Sequence, residues 1–477
     1  MIKRYIQILV LLLSFNLSSQ ELVLSFKNED LSRRTSKDSY TLTNTKTNDL
    51  ALIIVERKII AAYLFNSEFK EVQKFETSNI KSKYNEVLGY RVDSNIYHVL
   101  YTNNNHSKFA ILHLDFNSKT SYSTEIDLNL NKGEVFLDAI NYNNELYVLS
   151  GDNASTLTLR QLNTNDTFGV IKTFVLEEIS EDTSLISSKY AIGAFILSGY
   201  ESRNITKIDP RTPSSIERAS RTNKLYQDKE TLYLTFDINE DATIFYTLNL
   251  EELDLKVKTY PYPKPRINDS FKKFNSFIFE KNIYQIASSK DEMAFEIQDF
   301  DGHPINNYYL NRDMTISFKN SPIIQEGATA IPFINTRKFE QTSKYLRKIS
   351  AGNLGINVHF SNELFYITLG GYQEINTGGI SPIVSTPAMT NGGFISFNPT
   401  FHNYNYYTAT KSTFFNTILD SNFKHVKGEI KENSFDKITE YKKDKPYLTA
   451  EDIFYYNNEL YFSAFNLKES EYNLIKF

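Results

Sequence analysis

The chain has 477 residues, a formal net charge of −5, 32 Tyr and 35 Phe, and neither cysteine nor tryptophan. Without cysteine there are no disulfide staples and no thiolate metal sites, and a chain of this length can bury enough surface to hold its fold without them. Lys and Arg are scattered rather than clustered, which excludes a nucleic-acid footprint, while the aromatic share of 14% suits pleated, half-buried surfaces.

Residues 1–20 read as a cleaved secretory signal. Lys3 and Arg4 form a positive start, Ile6 to Phe15 an apolar run, and Ser18-Ser19-Gln20 a small-residue exit. The run is about half the roughly 20 residues that a membrane-spanning helix needs. An uncleaved N-terminal anchor is the alternative. No later stretch reaches membrane length, so the expected location is the periplasm or the exterior, with no direct membrane span.

Leu22-Val23-Leu24-Ser25-Phe26 is the first strand pattern, and Leu52-Ile53-Ile54-Val55 heads a series. A phrase then recurs: a polar turn, an aliphatic residue, an aromatic, and alternating apolar residues. It reads Asn95-Ile96-Tyr97, Asn144-Glu145-Leu146-Tyr147, Glu230-Thr231-Leu232-Tyr233, Asn282-Ile283-Tyr284, Asn362-Glu363-Leu364-Phe365 and Asn458-Glu459-Leu460-Tyr461. Degenerate copies stand at Ala191 to Leu197 and Thr329 to Ile334. The anchors recur about every 50 residues or at gaps with room for one more copy, the period of a four-stranded propeller blade. Strand patterns bounded by Asn, Asp and Gly surround each anchor, for example Leu137–Ile140, Leu146–Ser150, Thr156–Arg160 and Val170–Val175. No sustained helical pattern capped at both ends stands out.

The expected fold is all-β: a single β-propeller over residues 21–477, of about eight four-stranded blades with seven to nine possible. The last unit stops after three strands at Phe477, and Leu22–Phe26 belongs to no unit of its own. The N-terminal strand is therefore expected to complete the last blade and close the ring, removing an exposed edge. A β-sandwich pair or an open array is the alternative.

The pattern breaks after Leu364–Thr368. A Gly-rich insertion over 370–403 follows, holding six of the chain's 17 glycines, and strand-like text resumes near Tyr404–Thr408. Long insertions in compact repeats are functional or disordered. The candidate partner-binding residues are therefore Gly370, Gly371, Tyr372, Gly378, Gly379, Gly392 and Gly393. Tyr260-Pro261-Tyr262-Pro263-Lys264-Pro265-Arg266 and Asp209-Pro210-Arg211-Thr212-Pro213 read as stiff connectors.

No residue is assigned to catalysis, cofactor binding or metal binding. The seven histidines show no paired zinc-ligand spacing near a Glu. His98 and His113 can face one another in the second unit, a pairing read as packing. Asp237-Ile238-Asn239-Glu240-Asp241 resembles the start of a calcium loop, but Ala242 and Leu248 stand where Gly and Glu are needed, leaving a hairpin tip. Neither a nucleophile elbow nor a phosphate-binding Gly loop occurs. Carboxylates on different blades leave no local signature, so glycan chemistry stays open.

In length, leader and repeat, the chain resembles periplasmic propeller subunits of the bacterial type IX secretion machinery, including the plug component of its outer-membrane translocon. That resemblance implies a non-enzymatic periplasmic component, no cofactor, and a protein partner that is a large outer-membrane β-barrel. Because the chain ends inside a strand pattern, a retained component is expected rather than a passenger of that route. The competing expectation is an extracellular or periplasmic propeller that binds or cleaves glycans.

Overall fold

A two-residue loop joins antiparallel strands without splaying them when both loop residues take positive φ, because that backbone matches the strands' twist. The recurring phrase is this turn. Asn143-Asn144 (φ 49° and 66°), Glu280-Lys281 (46° and 59°), Asn362-Glu363 (51° and 63°) and Asn457-Asn458 (48° and 63°) each link a first strand to a second. Asn enters this region at low cost through its short polar side chain, which accounts for its repeated use.

The computed structural model describes residues 20–28, 31–35, 37–56, 59–78, 83–152, 156–176, 205–238, 240–267, 270–326, 336–373, 397–407 and 412–477. The protein is all-β, a β-propeller of antiparallel blades, and seven sheets lie among the described residues. In chain order the first comprises Asp38–Asn44, Asp49–Glu56, Ile59–Phe65 and Glu71–Ser78. The second comprises Glu86–Asp93, Ile96–Thr102, Phe109–Asp115 and Thr120–Ile126; the third Val135–Tyr142, Glu145–Gly151, Thr156–Leu162 and Phe168–Val175. The fourth runs Asn223–Asp228, Thr231–Phe236, Ala242–Asn249 and Asp254–Pro261, with Thr206–Ile208 added in parallel at its edge. The fifth holds Lys273–Phe279, Asn282–Ser288, Glu292–Asp299 and Pro304–Asn311. In the sixth, Asn353–Ser361, Leu364–Tyr372 and Ser412–Leu419 are followed by Ile323–Glu326 and Thr336–Phe339.

The seventh sheet takes its strands from both ends of the sequence. Leu448–Tyr456, Glu459–Asn466 and Glu471–Lys476 are completed by Glu21–Lys27, which pairs antiparallel with Glu471–Lys476. This is the strand contribution expected of Leu22–Phe26. The leader residues 1–19, the repeat copies at Ala191–Leu197 and Thr329–Ile334, and Gly378, Gly379, Gly392 and Gly393 lie outside the described residues.

The chain divides into two compact units, one of Met1–Ser82, Leu114–Ser121 and Asp436–Phe477, the other of Lys83–His113 and Tyr122–Phe435. In the first unit the seventh and first sheets share a core of Leu52, Ile54, Tyr63, Phe454, Phe465 and Tyr472, with Phe26 packed against it. In the second, Tyr226, Phe277, Phe295, Ile356 and Phe415 belong to one core joining the fourth, fifth and sixth sheets. Aromatic rings supply large buried areas and pair edge-to-face; Tyr226 and Phe277 do so at 5.5 Å and 87°. Within the sheets, second strands such as Asp49–Glu56 are buried on both faces, while fourth strands such as Glu71–Ser78 alternate with solvent.

Polar side chains tie neighbouring sheets inside each unit. Asp452 Oδ2 accepts from both the backbone N and the hydroxyl of Thr41, at 3.0 and 2.9 Å. Asp237 Oδ2 repeats this grip on Ser276, again at 3.0 and 2.9 Å. Asp237 also accepts from Thr243, Tyr262 and Lys224, and its ion pair with Lys224, at 2.9 Å, has both side chains fully buried. Asp237 and Asp241 thus stand at the two sides of a hairpin connection, as expected, with the first carboxylate turned into the core. The proline connector also takes the expected place between sheets: Tyr262 reaches Asp237, and the backbone N of Arg266 donates to Glu292.

Four helices stand among the described residues, where the sequence shows no helical pattern capped at both ends. Ile216–Ala219 is a single turn; Thr342–Ser350, Pro399–Tyr407 and Ser434–Lys442 each have nine residues. Thr342, Tyr345, Leu346 and Ile349 are buried at the i, i+3, i+4, i+7 spacing of a helix face. The expected strand at Tyr404–Thr408 is instead the helix Pro399–Tyr407. Pro399 opens it, and Asn398 Oδ1 accepts from Thr400 N at 3.0 Å as an N-terminal cap. Thr400, Asn403 and Tyr404 are buried at helical spacing, which the dense aromatics disguised as alternation.

Candidate functional site

The Gly370-Gly371-Tyr372 segment finishes a strand rather than opening a loop. Leu364–Tyr372 pairs on one side with Asn353–Ser361 and on the other with Ser412–Leu419, where Tyr372 stands opposite Ser412. A Cβ on Gly370 would lie 2.4 Å from the carbonyl oxygen of Thr413, and one on Gly371 2.9 Å from Cα of Ile349. Close packing therefore accounts for this glycine pair. Residues 373–411 join two strands that are direct neighbours, where the third sheet makes the same connection with 152–155.

The returning leg of this connection is firmly rooted. From the helix Pro399–Tyr407, Thr400 Oγ1 donates to Asp209, and Asn403 Nδ2 donates to the carbonyl of Asp209 and the hydroxyl of Thr212, both at 3.0 Å. Asp209 is held in turn by Arg211 through two bonds of 2.9 Å. The second proline connector is thus the seat of this helix. Phe397 and His402 then face a cavity of about 170 Å³ whose other walls include Glu86, His106, Asp138, Lys207 and Arg218.

Charges alternate around this cavity. His106 Nε2 lies 2.9 Å from Glu86 Oε2, and Lys207 Nζ lies 2.9 Å from Asp138 Oδ1. Burial pulls the His106 imidazole down, but the hydrogen bond and charge of Glu86 outweigh it and hold the group above its ordinary value. Burial pushes the Asp138 carboxyl up against the opposing pull of Lys207. Burial also brings the Arg218 guanidinium down to about 10, and its Nε is buried without a hydrogen-bond partner. The Tyr406 ring lies 5.3 Å from that guanidinium.

At roughly 30 Å³ per water the cavity holds about six waters. It suits one inserted polar side chain or sugar hydroxyl group. The two ion pairs supply donors and acceptors in its wall. Of the seven expected contact residues, Gly370, Gly371 and Tyr372 form the strand that begins this connection. Sequence reasoning missed Glu86, His106, Asp138, Lys207 and Arg218, which come from three sheets and a one-turn helix and leave no local motif. The N-cap Asn398-Pro399 was the readable signal for the helix that carries His402.

No helix among the described residues is long and apolar enough to cross a membrane. No protein-family model and no curated protein matches the sequence. Among solved structures, similarity extends to the β-propeller domain of Nup133 from Vanderwaltozyma polyspora, at 10% identity and a TM-score of 0.32, over 96% of this chain and 97% of that one. It also extends to an oligogalacturonate lyase in complex with manganese, at 7% identity and a TM-score of 0.31, over 96% of each chain. An apocarotenoid oxygenase from Synechocystis follows at 6% identity and a TM-score of 0.27, covering 59% of this chain and 65% of its own. Scores this low bear on neither activity nor partner.

Proposed function

We propose that this chain is a non-enzymatic cell-envelope β-propeller that holds a protein partner. The observation that carries the reading is the connection 373–411, which leaves and re-enters a sheet between paired neighbours and returns on a helix fixed to Asp209 and Thr212. Its foot lines a charged cavity sized for one polar side chain. Export by the leader of residues 1–20 belongs to this proposal. So does the finer reading of a periplasmic component of a type IX secretion translocon seated against an outer-membrane β-barrel, which rests on length, leader and repeat.

The test replaces residues 374–396 by a short Gly-Ser linker and compares partners crosslinked in the envelope. Loss of the partner with an unchanged melting temperature supports the proposal. An unchanged partner set refutes it. Recovery of a β-barrel among the partners supports the finer reading, and its absence overturns that part alone.

A second reading, a glycan-binding or glycan-cleaving propeller, is favoured by Glu86 and Asp138 lining one cavity, with Asp138 shifted toward the protonated form that a general acid requires. Asp138→Asn is then expected to abolish glycan turnover while leaving binding intact. Absence of turnover in the unaltered protein across a glycan panel removes the cleaving branch.

A further inference from the structure

His98 lies in the strand Ile96–Thr102 and His113 in its neighbour Phe109–Asp115. Their rings meet edge-to-face at 4.8 Å. Packing alone does not account for what surrounds them. The hairpin tip of the third sheet brings Asp166 over this pair, with Oδ2 at 3.0 Å from His113 Nε2.

His113 is 2% exposed; Asp166 is the ion-pair partner of its Nε2, while its Nδ1 and that of His98 are buried without a hydrogen-bond partner. Buried polar atoms without partners are costly and rare in folded proteins. A cation between them would satisfy both the imidazoles and the carboxylate.

One donor atom from each of His98, His113 and Asp166 lies within 4.8 Å of the others. Two ligands bound to zinc at about 2.0–2.1 Å and a tetrahedral angle sit roughly 3.3 Å apart, close to the His113–Asp166 spacing. Tyr122 stacks on His113 at 4.1 Å and 11°, which fixes the plane of that ring. The charge of Arg91 nearby is opposed by Asp93 and Glu145, each at 3.5 Å.

We propose that His98, His113 and Asp166 bind a first-row divalent cation of the zinc type, clipping the hairpin tip of the third sheet onto the second. Two imidazoles and a carboxylate with no thiolate fit zinc and its neighbours rather than a soft monovalent ion or calcium. Three protein ligands leave the fourth position to water. A second grouping, Asp299, Asp301 and His303, is an exposed turn in which Asp299 already accepts from the backbone N of Asp301 and His303. It carries no proposal and serves as the control.

The experiment uses the untagged full chain, stripped with EDTA and titrated with Zn²⁺ against a chromophoric chelator, with Co²⁺ as the spectroscopic probe. The expected result is one Zn²⁺ per chain, a tetrahedral Co²⁺ spectrum and a melting temperature raised by metal. Asp166→Asn, on an accessible hairpin, is expected to weaken binding at least about tenfold, the scale at which even outer-shell partners act. His98→Gln is expected to do the same, and His303→Gln to change nothing. Should the folded protein bind no stoichiometric Zn²⁺, or bind it unchanged in both Asp166→Asn and His98→Gln, the proposal is overturned. Dependence on His303 instead would also overturn it.

Discussion

Replacing Asp237 by alanine removes the acceptor of five donors at once: Lys224 Nζ, Thr243 Oγ1, Tyr262 OH, and the backbone N and hydroxyl of Ser276. Lys224 is the decisive one. Its ammonium is fully buried and keeps the carbonyl of Arg221 and the Asn275 side chain as neutral acceptors, with no counter-charge. Breaking a buried pair by removing one partner costs about 3–5 kcal/mol, and each neutral donor left without an acceptor adds about 1 kcal/mol before relaxation. Relaxation and the two surviving acceptors recover part of this, so the expected loss is about 4 kcal/mol. With an unfolding entropy of about 2.1 cal/mol/K per residue over a unit the size of Lys83–His113 plus Tyr122–Phe435, Tm falls by roughly 6 °C. Scanning calorimetry of the single and double variants reads this directly. Lys224→Met combined with Asp237→Ala removes the stranded charge and is expected to be more stable than Asp237→Ala alone. A single variant losing less than about 1 kcal/mol, or a double variant less stable than the single, would refute the reasoning.

Four further outcomes are expected. Gly370→Ala drives a methyl group against the Thr413 carbonyl and is expected to cost about 1–3 kcal/mol by urea denaturation, whereas an unchanged midpoint contradicts the close packing. Glu363→Gly relieves a side chain held at φ 63° and is expected to raise the urea midpoint by the equivalent of about 0.5–1 kcal/mol. His359 is brought down by burial to about 4 from an ordinary 6.5; the unfolded chain binds the extra proton between those values, so stability is lost as pH falls from about 6.5 to about 4, by at most about 3 kcal/mol. His359→Gln is expected to flatten that part of the Tm–pH curve, while His106, raised by Glu86, acts oppositely and loses its contribution as pH rises above 6.5. Removing Glu21–Lys27 bares the edge of Glu471–Lys476 and is expected to produce concentration-dependent association by light scattering.

The blades were legible because the phrase encodes geometry. Asn143-Asn144 and Asn457-Asn458 write a positive-φ turn in residue types that favour it, and the alternation after them follows strand periodicity. The N-terminal strand was legible by subtraction, since Leu22–Phe26 and the three-strand final unit each lacked a partner. The helix Thr342–Ser350 has the spacing of a buried face but no side-chain N-cap, so the usual start signal was missing. The glycines at 370 and 371 were visible, but not their reason, because the atoms that crowd them belong to Thr413 and Ile349. The charged cavity and the His98–His113–Asp166 group were unreadable for a like reason. Each assembles residues from different sheets, and in His113 the sequence shows an ordinary strand residue until Asp166 arrives from another hairpin.

The pairing of Glu21–Lys27 with Glu471–Lys476 also orders events in time. A ribosome finishes the second of these segments more than 400 residues after the first, at 5–20 residues per second roughly 20–90 s later. Until then the early strand has no place to dock, and the seventh sheet, with the core it shares with the first, stays unassembled. Compaction of that unit must therefore wait until Glu471–Lys476 has been made. The contact that joins Glu21–Lys27 to Glu471–Lys476 is thus among the last that the unit can make.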